Sequence, residues 1–311
     1  MFYSEMTDFY PCLGRENSTM VQRVCLTILL SLAFTLPAQA DVLFEGYAKV
    51  LSGEEHIGYV ISRYEFDAKK KQFISTYFLK TGKGPSETTE SLKAYADADL
   101  TPISYEYTSL AGKESKIIDA KFKGGTLTGV IKNGNKVSRI EKKIPKGTFL
   151  STFLVYLMLK SKEGLKSETN YEYQAIAEED GAIYKGQALV GKEEIFNGFK
   201  SFKILNTFKD IKFLSYVNER GEVLGTNAMG QGIVTELVAN PSEAIGNIPY
   251  SASLLKTLFG KVPAGDANVV SRNAKLKAAE ANAPAPSKQM GVPQGQGIII
   301  KAQPETEKKG N

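Results

Sequence analysis

Residues that could carry out acid–base, nucleophilic or metal chemistry are scarce in this 311-residue chain. It has a single histidine, His56, and two cysteines, Cys12 and Cys25. One histidine cannot supply the several His and Cys ligands that zinc sites use. A Ser-His-Asp triad would have to use His56, but no Gly-x-Ser-x-Gly turn is present to hold the serine. We therefore predict no catalytic and no metal-binding residue, and we interpret His56 as a solvated residue beside the first hairpin.

Three short motifs resemble functional sites without their defining context. Residues 253–256 match Ser-x-x-Lys, the spacing of acyl-enzyme serines, but the Ser-Asp-Asn and Lys-Thr-Gly companions are missing. Residues 82–86 look like a phosphate loop, but their spacing is wrong and Pro85 removes a backbone donor. We interpret residues 178–181 as a solvated acidic turn. No cofactor is expected; a hydrolase using two carboxylates stays open, because that pairing is spatial.

Residues 20–40 have the features of a cleavable export signal. An arginine precedes an apolar run at residues 26–36, and residues 38–40 (AQA) form a small-x-small cleavage pattern. The run is shorter than the roughly 20 apolar residues of a spanning helix, which disfavours the alternative of an uncleaved membrane anchor. We predict cleavage between Ala40 and Asp41, a periplasmic location and no transmembrane segment after cleavage.

The predicted mature chain, residues 41–311, loses both cysteines with the signal, and with them any disulfide or thiol chemistry. It carries 37 Lys and Arg against 31 Asp and Glu, a net charge of +6. The positive charges form no concentrated stripe of the kind that nucleic-acid binding uses, so we expect no nucleic-acid partner. Residues 1–19 precede a complete signal and are expected to be untranslated or a disordered extension.

The elements that would position any site are predicted to be mainly β-strands. Residues 42–144 and 169–238 alternate apolar and polar side chains with the period of two that is typical of half-buried strands. Gly124-Gly125 and Asn133-Gly134 are expected to form tight turns, which join antiparallel neighbours. The pattern predicts one domain, residues 41–260, in which an antiparallel meander forms a curved sheet; the family resemblance given below implies that this sheet is an open barrel.

One apolar segment interrupts the strand pattern. Residues 149–161 place apolar side chains at helical spacing on nearly every side, which predicts a helix buried in the concave face of the sheet. A buried pair of strands is the alternative, because Phe, Val and Tyr also favour strands. A short C-terminal helix is predicted within residues 250–259, ending at Gly260.

The composition changes after Gly260. Residues 261–311 contain no aromatic residue and are rich in Ala, Pro, Gly, Gln and Lys. We predict a disordered basic tail, because such a segment buries too little apolar area to offset the entropy of ordering. Residues 266–282 are expected to be at most transiently helical. The apolar triplet Ile298 to Ile300 either is solvated with the tail or adds as a strand to a sheet edge.

The order of these features resembles a known family. A hairpin at residues 53–59, the Pro-Gly lead into the apolar helix at 145–159, and the segments 191–199 and 216–224 are similar to uncharacterised exported β-rich domains of Gram-negative bacteria. These domains of unknown function form an open, curved β-barrel, loosely similar in shape to periplasmic lipoprotein carriers. The resemblance implies the fold, the compartment and an apolar groove. The absence of Trp departs from many members, and no functional residue is carried over.

These observations favour a non-enzymatic binding protein or carrier for an apolar, lipid-like ligand. Tyr77, Phe153 and Tyr156 are the predicted lining residues of a concave apolar site, and the competing interpretation is that these three side chains fill the core. The alternative function is a structural or assembly factor of the cell envelope, whose basic tail would contact an envelope protein or an anionic surface.

Overall fold

The computed structural model describes residues 40–82 and 84–282. The predicted upstream extension, the predicted signal up to residue 39 and the triplet Ile298 to Ile300 lie outside these residues. Asp41, the first residue after the predicted cleavage position, is also the first residue of the first strand. No helix within the described residues is long and apolar enough to cross a membrane.

The described chain is mainly β, as the alternation predicts. The fifteen strands are β1 (Asp41–Ser52), β2 (Glu55–Asp67), β3 (Gln72–Thr81), β4 (Thr88–Asp97), β5 (Pro102–Ala111), β6 (Glu114–Lys123), β7 (Thr126–Asn133), β8 (Lys136–Lys143), β9 (Phe149–Leu150), β10 (Asn170–Ala177), β11 (Ala182–Phe196), β12 (Phe199–Phe208), β13 (Ile211–Val217), β14 (Val223–Ala228) and β15 (Ile233–Val238). The helices are α1 (Leu154–Lys160), α2 (Pro241–Ile245), α3 (Ala252–Phe259) and α4 (Val269–Ala281).

All fifteen strands belong to one sheet in the order β8-β7-β6-β5-β4-β3-β2-β1-β15-β14-β13-β12-β11-β10-β9. Every neighbouring pair is antiparallel except β9 and β10. The first and last strands lie side by side, since Tyr47 of β1 pairs with Val238 of β15. Strands β8 and β9 form the two edges and do not pair with each other, so the sheet is curved but not closed into a barrel.

Short turns produce this antiparallel order. Gly124 and Gly125, with φ of 57° and 72°, are the two central residues between β6 and β7. Two-residue hairpin turns need positive φ, which glycine adopts without a steric penalty. Asn133 pairs with Lys136, so the next turn is centred one residue later than predicted, with Gly134 in its first central position.

The segment predicted as a helix over residues 149–161 contains both predicted forms. Phe149 and Leu150 form the short strand β9, a 3₁₀ turn follows over Ser151–Phe153, and only then does α1 begin. The helix therefore starts five residues later than predicted, because Phe149 and Leu150 pair in parallel with Ala175 and Ile176 of β10. Local periodicity cannot report such a pairing.

Helix α1 fills much of the concave face. Phe153 and Tyr156 pack with inward side chains of β4 to β7, among them Leu92, Tyr105 and Ile118. Met158, on another side of the helix, packs with residues of β11 to β13. The helix is thus buried between the two halves of the sheet, as its apolar surface predicts.

The convex face of β1 to β3 is covered by α2 and α3. Leu255 and Phe259 of α3 pack on Tyr59, Ile61 and Phe78. Helix α3 ends where predicted, and Gly260 follows it in a left-handed conformation. Ser251 caps the start of this helix by accepting a hydrogen bond from the Leu254 amide. Strands β1 to β3 are therefore covered on their convex face.

The prediction of a disordered tail from residue 261 onward is corrected for residues 261–282. Asn268 is completely buried, and its side-chain amide donates to the carbonyl oxygens of Glu45 and Gly265. It also caps α4 by accepting from the Ser271 amide. Specific buried hydrogen bonds fix this segment, whereas the sequence argument considered only its apolar area.

Candidate functional site

The concave face that α1 leaves uncovered contains a cavity of about 340 Å³. It lies between β1, β2 and β3 on one side and β14 and β15 on the other. Its lining combines aromatic and aliphatic, hydroxyl-bearing and small residues: Phe44, Val60, Tyr64, Tyr77, Val223 and Leu237; Ser62, Thr152, Thr226 and Thr235; Gly46, Ala48, Gly221 and Gly225. No side chain in this set carries a charge.

Small residues occupy inward positions of two strands beside this space. Phe44, Gly46 and Ala48 of β1 alternate inward, and the last two project little or no side chain. The glycines allow close packing: a Cβ at Gly46 would lie 2.5 Å from Leu237 Cδ1, and one at Gly225 would lie 2.7 Å from the Phe196 ring. A larger residue at either glycine would therefore clash with these neighbours, and Ala48 is the small side chain of β1 that lines the cavity.

The end of the cavity next to α1 is held by hydrogen bonds. The Tyr64 hydroxyl donates to the Thr152 carbonyl oxygen at 3.0 Å, and the Thr152 hydroxyl lies 2.8 Å from that of Ser75. The Tyr64 ring also packs against Tyr156, with ring centroids 5.1 Å apart. This wall is therefore rigid, because each of its polar groups is paired inside the protein.

The three predicted lining residues are in different places. Tyr77 lines the cavity. Phe153 is completely buried and Tyr156 is 8% exposed; both pack in the core with β4 to β7 and do not line the cavity. For these two the structure corresponds to the core-filling interpretation.

Glu178, a buried carboxyl that the sequence did not single out, hydrogen-bonds to the segment that forms this wall. Glu178 is 4% exposed and accepts hydrogen bonds from the Ser151 hydroxyl at 2.5 Å and the Thr152 amide at 3.1 Å. Burial raises the pKa of Glu178 to about 7. The interpretation of residues 178–181 as wholly solvated is thus wrong at Glu178, which tertiary packing covers.

The rest of that acidic turn is a surface ion-pair cluster. Lys209 lies 2.6 Å from a carboxylate oxygen of Glu179 and 2.6 Å from one of Asp180. No sequence signal distinguishes Glu178 from these two neighbours, because all three carboxyls occur in one turn. Only the position of Ser151 and Thr152 against the turn makes Glu178 an interior residue.

The other motifs do not meet at this cavity. His56 lies in β2 and not in a solvated turn: its Nε2 is 2.9 Å from the carbonyl oxygens of both Gly58 and Ala244, so it links β2 to α2. Ser253 and Lys256 are exposed on α3. Among residues 40–82 and 84–282, no three His, Cys, Asp or Glu side chains are grouped as a metal site would need.

Larger clefts occur elsewhere, but they are more open and are lined by charges. One of about 700 Å³ lies beside the edge of β10, where Lys146, Glu172 and Lys185 contribute to its walls. Another of about 530 Å³ lies against α4 and includes Glu193 and Arg272. The concave cavity differs from both because its lining is uncharged and lies inside the curved sheet.

The fold and cavity define a mainly antiparallel β protein with an open, barrel-like sheet around a helix. No protein-family model matches the chain, and no curated protein matches it. The chain is similar to the crystal structure of a beta-barrel-like protein of Domain of Unknown Function DUF1849 from Brucella abortus, with 12% identity, a TM-score of 0.45, and coverage of 63% of this chain and 97% of the other.

A second similar structure is that of a DUF1089 family protein from Pseudomonas aeruginosa, with 14% identity and a TM-score of 0.32. That match covers 55% of this chain and 90% of the other. Both are domains of unknown function, the class of protein that the sequence pattern resembles.

Proposed function

We propose that this protein is a non-enzymatic binding protein, or carrier, for a small apolar ligand without charge, held in the concave cavity. The observation that carries the proposal is an interior space of about 340 Å³ whose fourteen lining residues include no ionisable group other than two tyrosines. Ligand sites have volumes of roughly 300–1,000 Å³ and mostly apolar linings with a few polar groups.

The uncharged lining determines which ligands the cavity would accept. An ion that enters such a space loses its hydration without gaining a counter-charge, which is costly. An apolar molecule gains from leaving water, by roughly 25 cal/mol for each Å² of apolar surface buried. A periplasmic location, which rests on the export pattern of residues 20–40, is part of the same proposal.

A pair of matched dyes tests the proposal. N-phenyl-1-naphthylamine is apolar and uncharged, and 1-anilinonaphthalene-8-sulfonate has the same ring skeleton with a sulfonate. We expect saturable fluorescence of the neutral dye with residues 41–311 and binding of the sulfonate weaker by about tenfold or more, since that dye would bury an unpaired charge. Equal binding of the two dyes, or no saturable binding of the neutral dye, would overturn the proposal.

Cavity-filling variants locate the dye. Ala48→Phe would place a ring in the cavity, and we expect it to abolish binding of the neutral dye while circular dichroism stays unchanged. Val137→Phe is the control, because Val137 is 65% exposed on β8 and does not line the cavity. Unimpaired binding by Ala48→Phe would show that the dye binds elsewhere.

A role in envelope assembly through protein contacts is the second candidate, and the free edge of β10 favours it. Only the end of β10 pairs with β9, at Ala175 and Ile176, so within residues 40–82 and 84–282 no strand pairs with the outer side of residues 170–174, beside the 700 Å³ cleft. Exposed strand edges accept extended segments of partner proteins.

Blocking the edge separates the two candidates. Alternate residues of β10 direct their backbone groups toward β11, and the last of them is Ala177, which pairs with Ala182. Glu172 lies an odd number of residues before Ala177. Its amide therefore points away from β11, toward the open edge. Glu172→Pro removes that donor and Glu172→Ala retains it. An assembly role predicts that only the proline variant loses its cross-linked partner in cells, with dye binding unchanged.

A further inference from the structure

Two tyrosines, Tyr64 and Tyr77, are among the described residues that line the cavity, and of these only Tyr77 has no hydrogen bond from its hydroxyl to another described residue. The Tyr64 hydroxyl donates to Thr152, and the Thr226 and Thr235 hydroxyls pair with each other at 2.8 Å. The Tyr77 hydroxyl makes no hydrogen bond to any residue of 40–82 or 84–282. Nor is it sealed off, in contrast to the unpaired hydroxyls of Tyr105 and Thr148, which have no solvent-accessible surface.

Tyr77 is partly buried on the concave side of the sheet. On the inward face of β3 it pairs with Ser62 of β2 and Leu92 of β4, and it packs against the core around α1. Burial raises the pKa of Tyr77 far above its ordinary value of 10, and the nearby Glu90, Tyr107 and Tyr64 raise it further. The phenol is therefore protonated at any physiological pH and is available as a donor.

Glu90 is the charged group that acts most strongly on the Tyr77 phenol, and no hydrogen bond joins these two described residues. Interior donors in folded proteins are nearly always paired, and a donor left open toward a cavity is suited to an acceptor on the occupant. The acceptor must be neutral, because none of the described residues that line the cavity carries a positive charge to balance an anion.

We infer that Tyr77 determines ligand specificity by donating a hydrogen bond to a neutral carbonyl oxygen, so the ligand is an apolar ketone, ester or amide and not a hydrocarbon or a fatty-acid anion. The inference rests on the proposed function, because it assigns the ligand class of the same cavity. A hydrocarbon would leave the phenol unpaired, and a carboxylate would be buried without a counter-ion.

The test compares two dyes in Tyr77→Phe. Prodan is a naphthalene that bears a ketone, and its emission shifts to the blue when the ketone loses a hydrogen bond; N-phenyl-1-naphthylamine has no carbonyl. Loss of one neutral hydrogen bond predicts that prodan affinity falls by about 5- to 15-fold and that its emission shifts to the blue. Affinity for the carbonyl-free dye is expected to stay within about twofold.

Tyr95→Phe is the matched control. Tyr95 alternates with the inward Ala94 and Ala96 on β4 and therefore lies on the opposite face, outside the cavity lining. The same deletion of one hydroxyl there should change neither dye. Retained binding of the carbonyl-free dye by Tyr77→Phe verifies that the cavity is intact, so folding and hydrogen bonding are measured separately.

Each outcome has one meaning. If both dyes bind but Tyr77→Phe leaves prodan affinity and emission unchanged, the inference is overturned and the proposed function stands. If the variant weakens both dyes equally, Tyr77 acts by packing, and the specificity role is again overturned. If neither dye binds the unsubstituted protein, the proposed function fails and the inference fails with it.

Discussion

Arg63 and Glu45 form a buried ion pair that holds the C-terminal segment to the sheet. Both are 2–3% exposed, and the Arg63 Nε donates to a Glu45 carboxylate oxygen at 2.5 Å. Arg63 Nη1 donates to the Phe259 carbonyl oxygen, and the other Glu45 oxygen accepts from the Gly265 amide at 2.7 Å. The pair therefore connects β1 and β2 with α3 and with the segment that follows.

Removing one partner of this pair should be costly. We expect Arg63→Met to lower the free energy of unfolding by about 3–5 kcal/mol, because Glu45 would remain buried without its counter-charge. Lys200→Met is the control: its pair with Glu193 is exposed, and such pairs contribute about 0–1 kcal/mol. Urea denaturation measures both, and equal losses in the two variants would contradict the structural role of the buried pair.

Glu178 makes stability depend on pH. Its folded pKa of about 7 lies above the ordinary value of 4.5, so the folded state binds the proton more tightly than the unfolded state. The stabilisation is complete below pH 4.5, falls as the pH rises to 7, and is constant above that. We expect the loss to be on the order of 3 kcal/mol.

Glu178→Gln isolates this contribution, since glutamine resembles the protonated carboxyl. Urea denaturation at intervals from pH 4.5 to 8 should give a difference between the two proteins that changes with pH across the window and favours the variant at high pH. Glu179→Gln, a surface neighbour, should not reproduce it. A difference independent of pH would show that Glu178 ionises normally in the fold.

At the scale of elements, α1 depends on its surroundings. Seven residues are too few for a helix that is stable alone in water, so the segment is helical because the sheet packs around it. The same packing produces the two-residue strand before it. The apolar character of residues 149–161 predicted burial, but the position where strand changes to helix was decided by pairing with β10.

Phe153→Ala tests whether this segment holds the two halves of the sheet together. Phe153 is completely buried, and deletion of such a ring typically costs about 3–5 kcal/mol. Lys160→Ala, at the exposed last residue of α1, should change stability by about 0.5 kcal/mol or less. A loss below about 1 kcal/mol for Phe153→Ala would mean that the core closes without the helix segment.

At the scale of the whole molecule, β1 joins the two halves and the C-terminal segment covers the joint. Strand β1 pairs with β2 on one side and with β15 on the other. Residues 261–282 contact this region at two points. The Tyr47 hydroxyl of β1 donates to the Pro263 carbonyl oxygen at 3.1 Å, and Glu222, just before β14, pairs with Arg272 of α4 at 2.6 Å. The folded unit therefore extends past Gly260.

Two truncations measure this contribution. A chain ending at Gly260 loses the hydrogen bonds of Glu45 with Gly265 and of Tyr47 with Pro263, and we expect its melting temperature to fall by about 10 °C or more, since several buried polar groups lose partners. A chain ending at Asn282 keeps every one of these hydrogen bonds and should melt well above the shorter one. Equal melting temperatures would restore Gly260 as the end of the domain.

The sequence alone determined the features that depend on local chemistry. Strand alternation, the glycine turns, the apolar segment at 149–161 and the stop of α3 were readable, because each reflects side-chain period or backbone freedom within a few residues. The scarcity of His and Cys likewise limited the chemistry from composition alone. The antiparallel order of the sheet followed from strands joined by tight turns, whereas its open, barrel-like form was implied only by the family resemblance.

Only the tertiary structure decided what depends on residues far apart in the chain. Glu178 is interior because Ser151 and Thr152 lie against it, and Asn268 is ordered because β1 supplies its partner. The cavity lies between β1 to β3 and β14 to β15, with Tyr77 in its lining, whereas Phe153 packs in the core. Such placements depend on long-range packing, which a local pattern does not contain.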